Sequence, residues 1–204
     1  MAIMVLDPYV EQQILALRTG SDGDQYDEVW EGVYIVTPLP NNDHQVLVGE
    51  FTFILGETVG RPGLGQVFPG VNLSDRDEGW GKNFREPDVA VFLRTGKAVD
   101  CGTHWQGAAD FLVEIISPGE RTREKLPFYG SIGVVELLIV DREPWSLELY
   151  RQQDGQLLKV GQSTLAAPDV LESQTVGLTF QLLPGEPRPQ IQATHPATGR
   201  QWVF

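Results

Sequence analysis

The hexapeptide Phe-Leu-Val-Glu-Ile-Ile at residues 111–116 constrains the fold more than any other segment. Its apolar residues run without polar alternation, the pattern of a strand covered on both faces. Glu114 stands in the middle of that run. A lone buried carboxylate costs several kcal/mol, so the chain must bring a cation, a metal ion or hydrogen bonds to it. The competing reading is an edge strand with Glu114 turned to water. The size of the desolvation cost favours the first.

A second segment, Arg-Glu-Pro-Asp-Val-Ala-Val-Phe at 85–92, opens another strand. Pro87 removes a ladder donor, which puts Asp88 at a strand end. Alone, Asp88 could be a simple turn aspartate. Paired with Glu114 on a neighbouring strand it supplies two hard oxygen ligands, a set suited to Mg²⁺, with Mn²⁺ as the alternative and water in the remaining positions. A third acid, Glu28 in Glu-Val-Trp-Glu-Gly, either approaches the same pocket through a metal-bound water or lies exposed beside a hairpin turn. Lys125 follows Glu114 after a Ser117-Pro118-Gly119 turn, early in a helix, so its long side chain can fold back over the strand end or stay at the surface. Tyr129, four residues on, shares its helical face and either hydrogen-bonds toward the pocket or packs.

Around these residues the pattern predicts a mixed α/β (α+β) chain. Asp7 caps a helix running to about Arg18, with Val10, Ile14, Leu15 and Leu17 on or near one face. Residues 28–36 read as paired strands turning at Glu31-Gly32. Asn42 or Asp43 caps a second helix to about Val59, with Leu47, Phe51, Ile54 and Leu55 at helical spacing. Strands follow near 66–73, 88–93 and 110–116, a third helix from Thr122 to before Gly133, then strands at 135–140, 146–150 and 157–160. Pro184 to Pro189 reads as a linker. The expected organisation is one domain over residues 1–183 and a tail over 184–204, an edge hairpin or disordered.

Composition narrows the function classes. The net charge is −13, which argues against a scanning, non-specific DNA binder. A local cluster, best represented by Arg121, Arg123 and Lys125, or a bound metal can invert that field locally. The cluster's plain alternative is a solvated helix start. No apolar run approaches the roughly 20 residues of a membrane span, and no export signal is read, so a cytoplasmic protein is expected. Cys101 is the only cysteine, which excludes an internal disulfide. It is read as having no histidine partner, and His44, His104 and His195 as following no zinc-ligand spacing.

The ordered motifs Glu28-Val-Trp-Glu-Gly32, His44, Pro87-Asp88-Val-Ala-Val, Glu114-Ile-Ile-Ser117-Pro118, Lys125-Leu-Pro-Phe-Tyr129, Gly133-Val-Val-Glu136 and Val140-Asp141 resemble the Uma-type family, restriction-endonuclease-like proteins of the PD-(D/E)XK superfamily. The likeness spans roughly residues 7–183. It implies a central mixed β-sheet flanked by helices, here with extra strands near the C-terminus, and Mg²⁺-assisted hydrolysis of phosphodiester bonds in DNA. By motif match, Glu28, Asp88 and Glu114 form the acidic set and Lys125 is the displaced lysine. The superfamily's lysine two residues after the strand acid is absent, Ile116 standing in its place. The segment before Lys125 looks short and lacks an aspartate, for which Glu120 or Glu124 would substitute. His44 would line the pocket, with capping or packing as its alternative, and Ser117 and Tyr129 join it as pocket residues.

The enzymatic reading gives Asp88, Glu114 and the Ile115 carbonyl the metal, and Lys125 the attacking water or the transition-state charge. Its rival is a catalytically weak or inactive nuclease-fold module acting in protein or nucleic-acid binding. A third reading is a self-assembling protein, such as a homodimer, with Trp145 and Trp202 as exposed anchors.

Overall fold

Strands that are apolar on both sides must be covered on both sides, and this requirement organises the chain. The computed structural model of the protein describes residues 2–19, 26–37, 39–117 and 121–204. Its central sheet contains β4 (Gly65–Pro69), β7 (Val89–Leu93), β10 (Phe111–Ile116), β11 (Glu136–Arg142), β12 (Trp145–Gln153) and β13 (Gln156–Thr164), in the order β13-β12-β11-β10-β7-β4. β10 and β11 are parallel, and every other neighbouring pair is antiparallel. This is the central mixed sheet that the family resemblance implied.

Side-chain alternation splits the sheet into two cores. On one face Val89, Val91, Phe111, Val113, Ile115, Leu138 and Val140 pack against α2 (Asn42–Leu55), through Leu47, Phe51, Ile54 and Leu55. On the other, Ala90, Phe92, Leu112, Leu137 and Ile139 meet Tyr129 of α3 (Leu126–Ile132). Glu114 shares the second face with Leu112, by the two-residue period. Asp88 shares it with Ala90 and Phe92. The β7–β10 ladder ends with Val89 opposite Val113, and one further step sets Asp88 opposite Glu114. The two acids therefore meet on the same face of the sheet.

A second sheet brings in the third acid. Its order is β1-β3-β2-β6-β5-β9-β8, from β1 (Ile3–Val5), β2 (Glu28–Trp30), β3 (Val33–Val36), β5 (Leu73–Ser74), β6 (Phe84–Arg85), β8 (Val99–Asp100) and β9 (Trp105–Gln106). The β2–β3 turn falls at Glu31 (φ 50°) and Gly32 (φ 84°), the left-handed pair that a two-residue hairpin needs. A third sheet of β14 (Leu171–Glu172), β15 (Thr179–Leu183), β16 (Gln190–His195) and β17 (Arg200–Val203) packs on the α2 side of the core. Residues 184–189 connect β15 to β16, and Phe204 meets Phe51 edge-on with ring centroids 5.2 Å apart.

Several expectations need correction. α1 (Pro8–Thr19) is capped by Asp7, whose Oδ1 accepts from the Tyr9 and Val10 amides. Val10 and Leu17, however, are 44% and 75% exposed. The buried side of α1 is narrow, because the helix lies against β1 and the edge of the second sheet rather than over the core. α2 starts one residue early, with Asn41 accepting from the His44 amide, and ends at Leu55 in a wider turn, Gly56–Gly60. Trp145 and Trp202 are half-buried against the core under Arg188 and Arg200, so neither stands out as an exposed anchor. No helix among the described residues is long and apolar enough to cross a membrane.

Glu136 joins the central and third sheets. It is almost completely buried. It accepts from Arg151 Nε (2.7 Å), Ser173 Oγ (2.5 Å) and the amides of Gln174 and Thr175 (3.2 and 3.1 Å). Burial pushes its pKa up, but these donors outweigh it and the net shift is downward. The stability it contributes is therefore present above the ordinary carboxylate range and is lost as pH falls through the depressed value. Glu136→Gln should lower unfolding free energy in denaturant by about 2–3 kcal/mol at pH 7, with a smaller difference from wild type at pH 3.

Candidate active site

The carboxylates converge on a cavity of about 300 Å³ lined by Glu28, His44, Glu86, Asp88, Glu114 and Lys125, among others. Strand order explains the convergence. Pro87 stops the ladder at Val89, leaving Asp88 at the mouth, and the parallel β10–β11 pair holds Glu114 beneath it.

Lys125 is the hub. Its Nζ lies 2.8 Å from Glu28 Oε1 and 3.1 and 3.2 Å from the two oxygens of Glu114. The short helical turn Thr122–Lys125 leads into α3 and aims the side chain inward. Tyr129, one helical turn later, donates its hydroxyl to Glu114 Oε1 at 2.6 Å. Glu114 thus has the compensation that its burial demands. Burial is the main force raising its pKa; Asp88 and Glu28 push the same way, while Lys125 opposes them. Burial also works against the Lys125 ammonium, but Glu114 and Glu28 together outweigh it and keep the lysine charged.

The other acids are fixed with equal care. Glu28 Oε1 also accepts from the Glu86 amide (2.7 Å), and Oε2 from Trp30 Nε1 (2.6 Å). Asp88 Oδ2 accepts from the Ile115 amide at 2.6 Å, and Oδ1 lies 3.2 Å from His44 Nε2. The sequence reading offered His44 for pocket, cap or packing; it lines the cavity beside Asp88. Ser117 sits at the exit of β10, where its Oγ accepts from Arg142 (2.8 Å). Arg142 also donates to the Ile116 carbonyl (3.1 Å) and to Asn41 Oδ1 (3.0 Å), tying the strand end to the start of α2. Tyr129 is wholly buried below the cavity.

The basic cluster does not form one patch. Arg123 reaches Asp141 (2.9 Å) and Glu148 (3.2 Å), and Arg121 pairs with Glu124 (2.5 Å). Glu124 is thereby turned to solvent and does not substitute for the missing aspartate. Pro118, Gly119 and Glu120 lie outside the described residues.

Three participants escaped the sequence reading. Trp30 is two residues from Glu28 and so on its side of the strand, a spacing that could have revealed the pair. Glu86 lines the cavity; burial first, then Glu28, pushes its pKa up to about 7. Arg85 is buried between the rings of Trp30 and Phe128, at 4.7 and 4.2 Å, and donates to the Val29 and Phe84 carbonyls (both 3.0 Å). The stacked arginine holds β2, β6 and α3 around the acids.

A mixed sheet carrying acids from adjacent strands, with a helix on each face, is the restriction-endonuclease-like architecture. The sequence profile of the Uma2 family, described as "Putative restriction endonuclease", matches residues 12–183, and the chain belongs to that family. Its fold is similar to that of a crystal structure from Anabaena variabilis described as "a putative nuclease belonging to DUF820" (TM-score 0.57, 18% identity, 74% of this chain and 82% of the other covered). No curated protein matches the sequence.

Replacing Lys125 with Met leaves Glu28 and Glu114 buried without their cation. The cost should be about 3–5 kcal/mol when both are ionised. A carboxylate whose folded pKa is raised binds its proton more tightly when folded, so stability falls as pH rises above the ordinary carboxylate range. The Lys125→Met deficit in denaturant unfolding is expected to be largest at pH 8 and smallest near pH 5.

Proposed function

We propose that this chain is an endonuclease that hydrolyses phosphodiester bonds in DNA with the help of Mg²⁺, or of Mn²⁺ in its place. The observation that carries the reading is that Asp88, Glu114 and Glu28 line a single cavity, where Glu114 and Glu28 hold one ammonium, Lys125.

The donor set fits a small hard cation. Glu28 and Glu114 share one lysine, Asp88 lies in the same cavity, and burial and like charge raise the pKa of Glu114. A divalent ion would relieve that excess of negative charge. Asp88, Glu114 and the Ile115 carbonyl would hold it. When bound, such an ion polarises a phosphoryl oxygen and lowers the pKa of a water. Lys125 takes both oxygens of Glu114, so it must yield at least one of them to a metal. The ammonium would then be free to offset negative charge on the phosphoryl oxygens during in-line attack. Tyr129 and the Ile115 amide keep Glu114 and Asp88 in place through the exchange. Glu28, which also accepts from the Glu86 amide and Trp30 Nε1, orients Lys125. With a net charge of −13 and Arg121 paired to Glu124 at the cavity rim, unaided DNA binding should be weak and salt-sensitive.

The same Lys125–Glu114 contact favours a second reading, a binding module whose lysine permanently occupies the metal's place. Calorimetry separates the two: the enzyme takes up Mg²⁺ or Mn²⁺ at millimolar concentration, whereas the module gives no heat. For the enzyme, Asp88→Ala should cut metal-dependent cleavage of DNA by about 100–1,000-fold or more while the protein stays folded. Cleavage at the wild-type rate by that variant would refute the proposal.

A further inference from the structure

A second group of ligand-type side chains lies at the far edge of the second sheet, among residues that do not line the acidic cavity. β8 and β9 are joined by Cys101-Gly102-Thr103-His104, and the turn closes with the Cys101 amide donating to the His104 carbonyl at 3.0 Å. Gly102, at φ 83°, supplies the left-handed residue that so tight a connection requires. Closure brings the thiol and the imidazole together, against the expectation that Cys101 has no histidine partner and that the histidines follow no ligand spacing. The periodicity of neither strand reveals the pairing, because it is made by the turn. Asp77, on the loop after β5, completes the group. One oxygen of Asp77, Cys101 Sγ and a ring nitrogen of His104 all lie within 4.8 Å of one another.

We propose that Asp77, Cys101 and His104 form a binding site for a borderline-soft divalent cation of the Zn²⁺ class, with three protein ligands and a fourth position open to water. The donor chemistry selects the ion: one sulfur, one imidazole nitrogen and one carboxylate oxygen suit zinc and are poor for Mg²⁺. The geometry is close to what is needed. Ligands at 2.0–2.3 Å around a tetrahedral ion stand about 3.3–3.8 Å apart, and His104 Nε2 is 3.8 Å from Asp77 Oδ1. Asp77 is exposed and free to adjust, while Cys101 is half-buried.

His104 is held as a ligand would be. It is buried, and its ring stacks on Trp80 with centroids 4.7 Å apart and planes at 13°. Nε2 lies 3.1 Å from the Arg76 carbonyl. Nε2 is also the nitrogen that faces Asp77, so the ion would take the place of that carbonyl contact. Nδ1 lies 3.2 Å from the Thr103 hydroxyl, the outer contact that commonly orients a metal-binding imidazole. Burial, then the neighbouring Asp77, keeps the Cys101 thiol protonated in the free protein, so binding releases its proton. The bound ion would pin the β8–β9 hairpin to the 75–79 loop.

The test is a titration of chelator-treated, full-length protein with Co²⁺, followed by absorption. One equivalent should produce a thiolate-to-cobalt charge-transfer band with tetrahedral visible bands, and Zn²⁺ should abolish both. Cys101→Ser should remove the charge-transfer band. Asp77→Ala should weaken binding by more than about 10-fold, and Asp88→Asn should leave the spectrum unchanged, separating this site from the acidic cavity. No band from folded wild-type protein in excess Co²⁺ would overturn the proposal. So would a band retained by Cys101→Ser, or one lost in Asp88→Asn.

Discussion

The contact between the Lys125 ammonium and the buried carboxylates of Glu114 and Glu28 is the interaction on which the rest depends. A carboxylate in the middle of an apolar strand is tolerated only if a charge reaches it. That need fixes where α3 starts, how Lys125 enters, and why Tyr129 lies one turn later. Trp30, Arg85 and Arg142 follow from the same demand, because a buried ion cluster keeps its value only when every member is held. The cluster then has a latent use. In the proposed reading, the acids that exceed the cations beside them take up a divalent ion.

Much of this was legible in the sequence, for identifiable reasons. Glu114 stood out because it interrupts an apolar run, and Asp88 because Pro87 marks a strand end. Their meeting on one face follows from the two-residue period once β7 and β10 are antiparallel neighbours. Lys125 was reachable from its place early in a helix after the strand. Leu47, Phe51, Ile54 and Leu55 showed their buried face by helical spacing alone.

Other features were invisible because they depend on contacts between segments distant in sequence. Arg142 lies 101 residues from Asn41, yet it bridges a strand end and a helix cap. Glu86 reads as a spacer before Pro87 until the fold closes Glu28 over it. The half of α1 carrying Val10 and Leu17 looks like a core face in sequence, but the sheet has no room for it. Arg121, Arg123 and Lys125 look like one basic patch, although each faces different acids. The Cys101–His104 turn hid for the opposite reason, being so local that strand periodicity says nothing about it. Family membership adds the nuclease class; the chemistry of the cavity has to be argued from its own residues.

The central claim is that two acids from adjacent strands share a hard divalent ion. A crystal of the full chain soaked in Mn²⁺ and measured at the manganese absorption edge tests it most directly. The account predicts one anomalous peak within roughly 2.0–2.6 Å of a carboxylate oxygen from both Asp88 and Glu114, with Lys125 released from at least one Glu114 oxygen. A cavity without a peak, with Lys125 still on both oxygens, would contradict it.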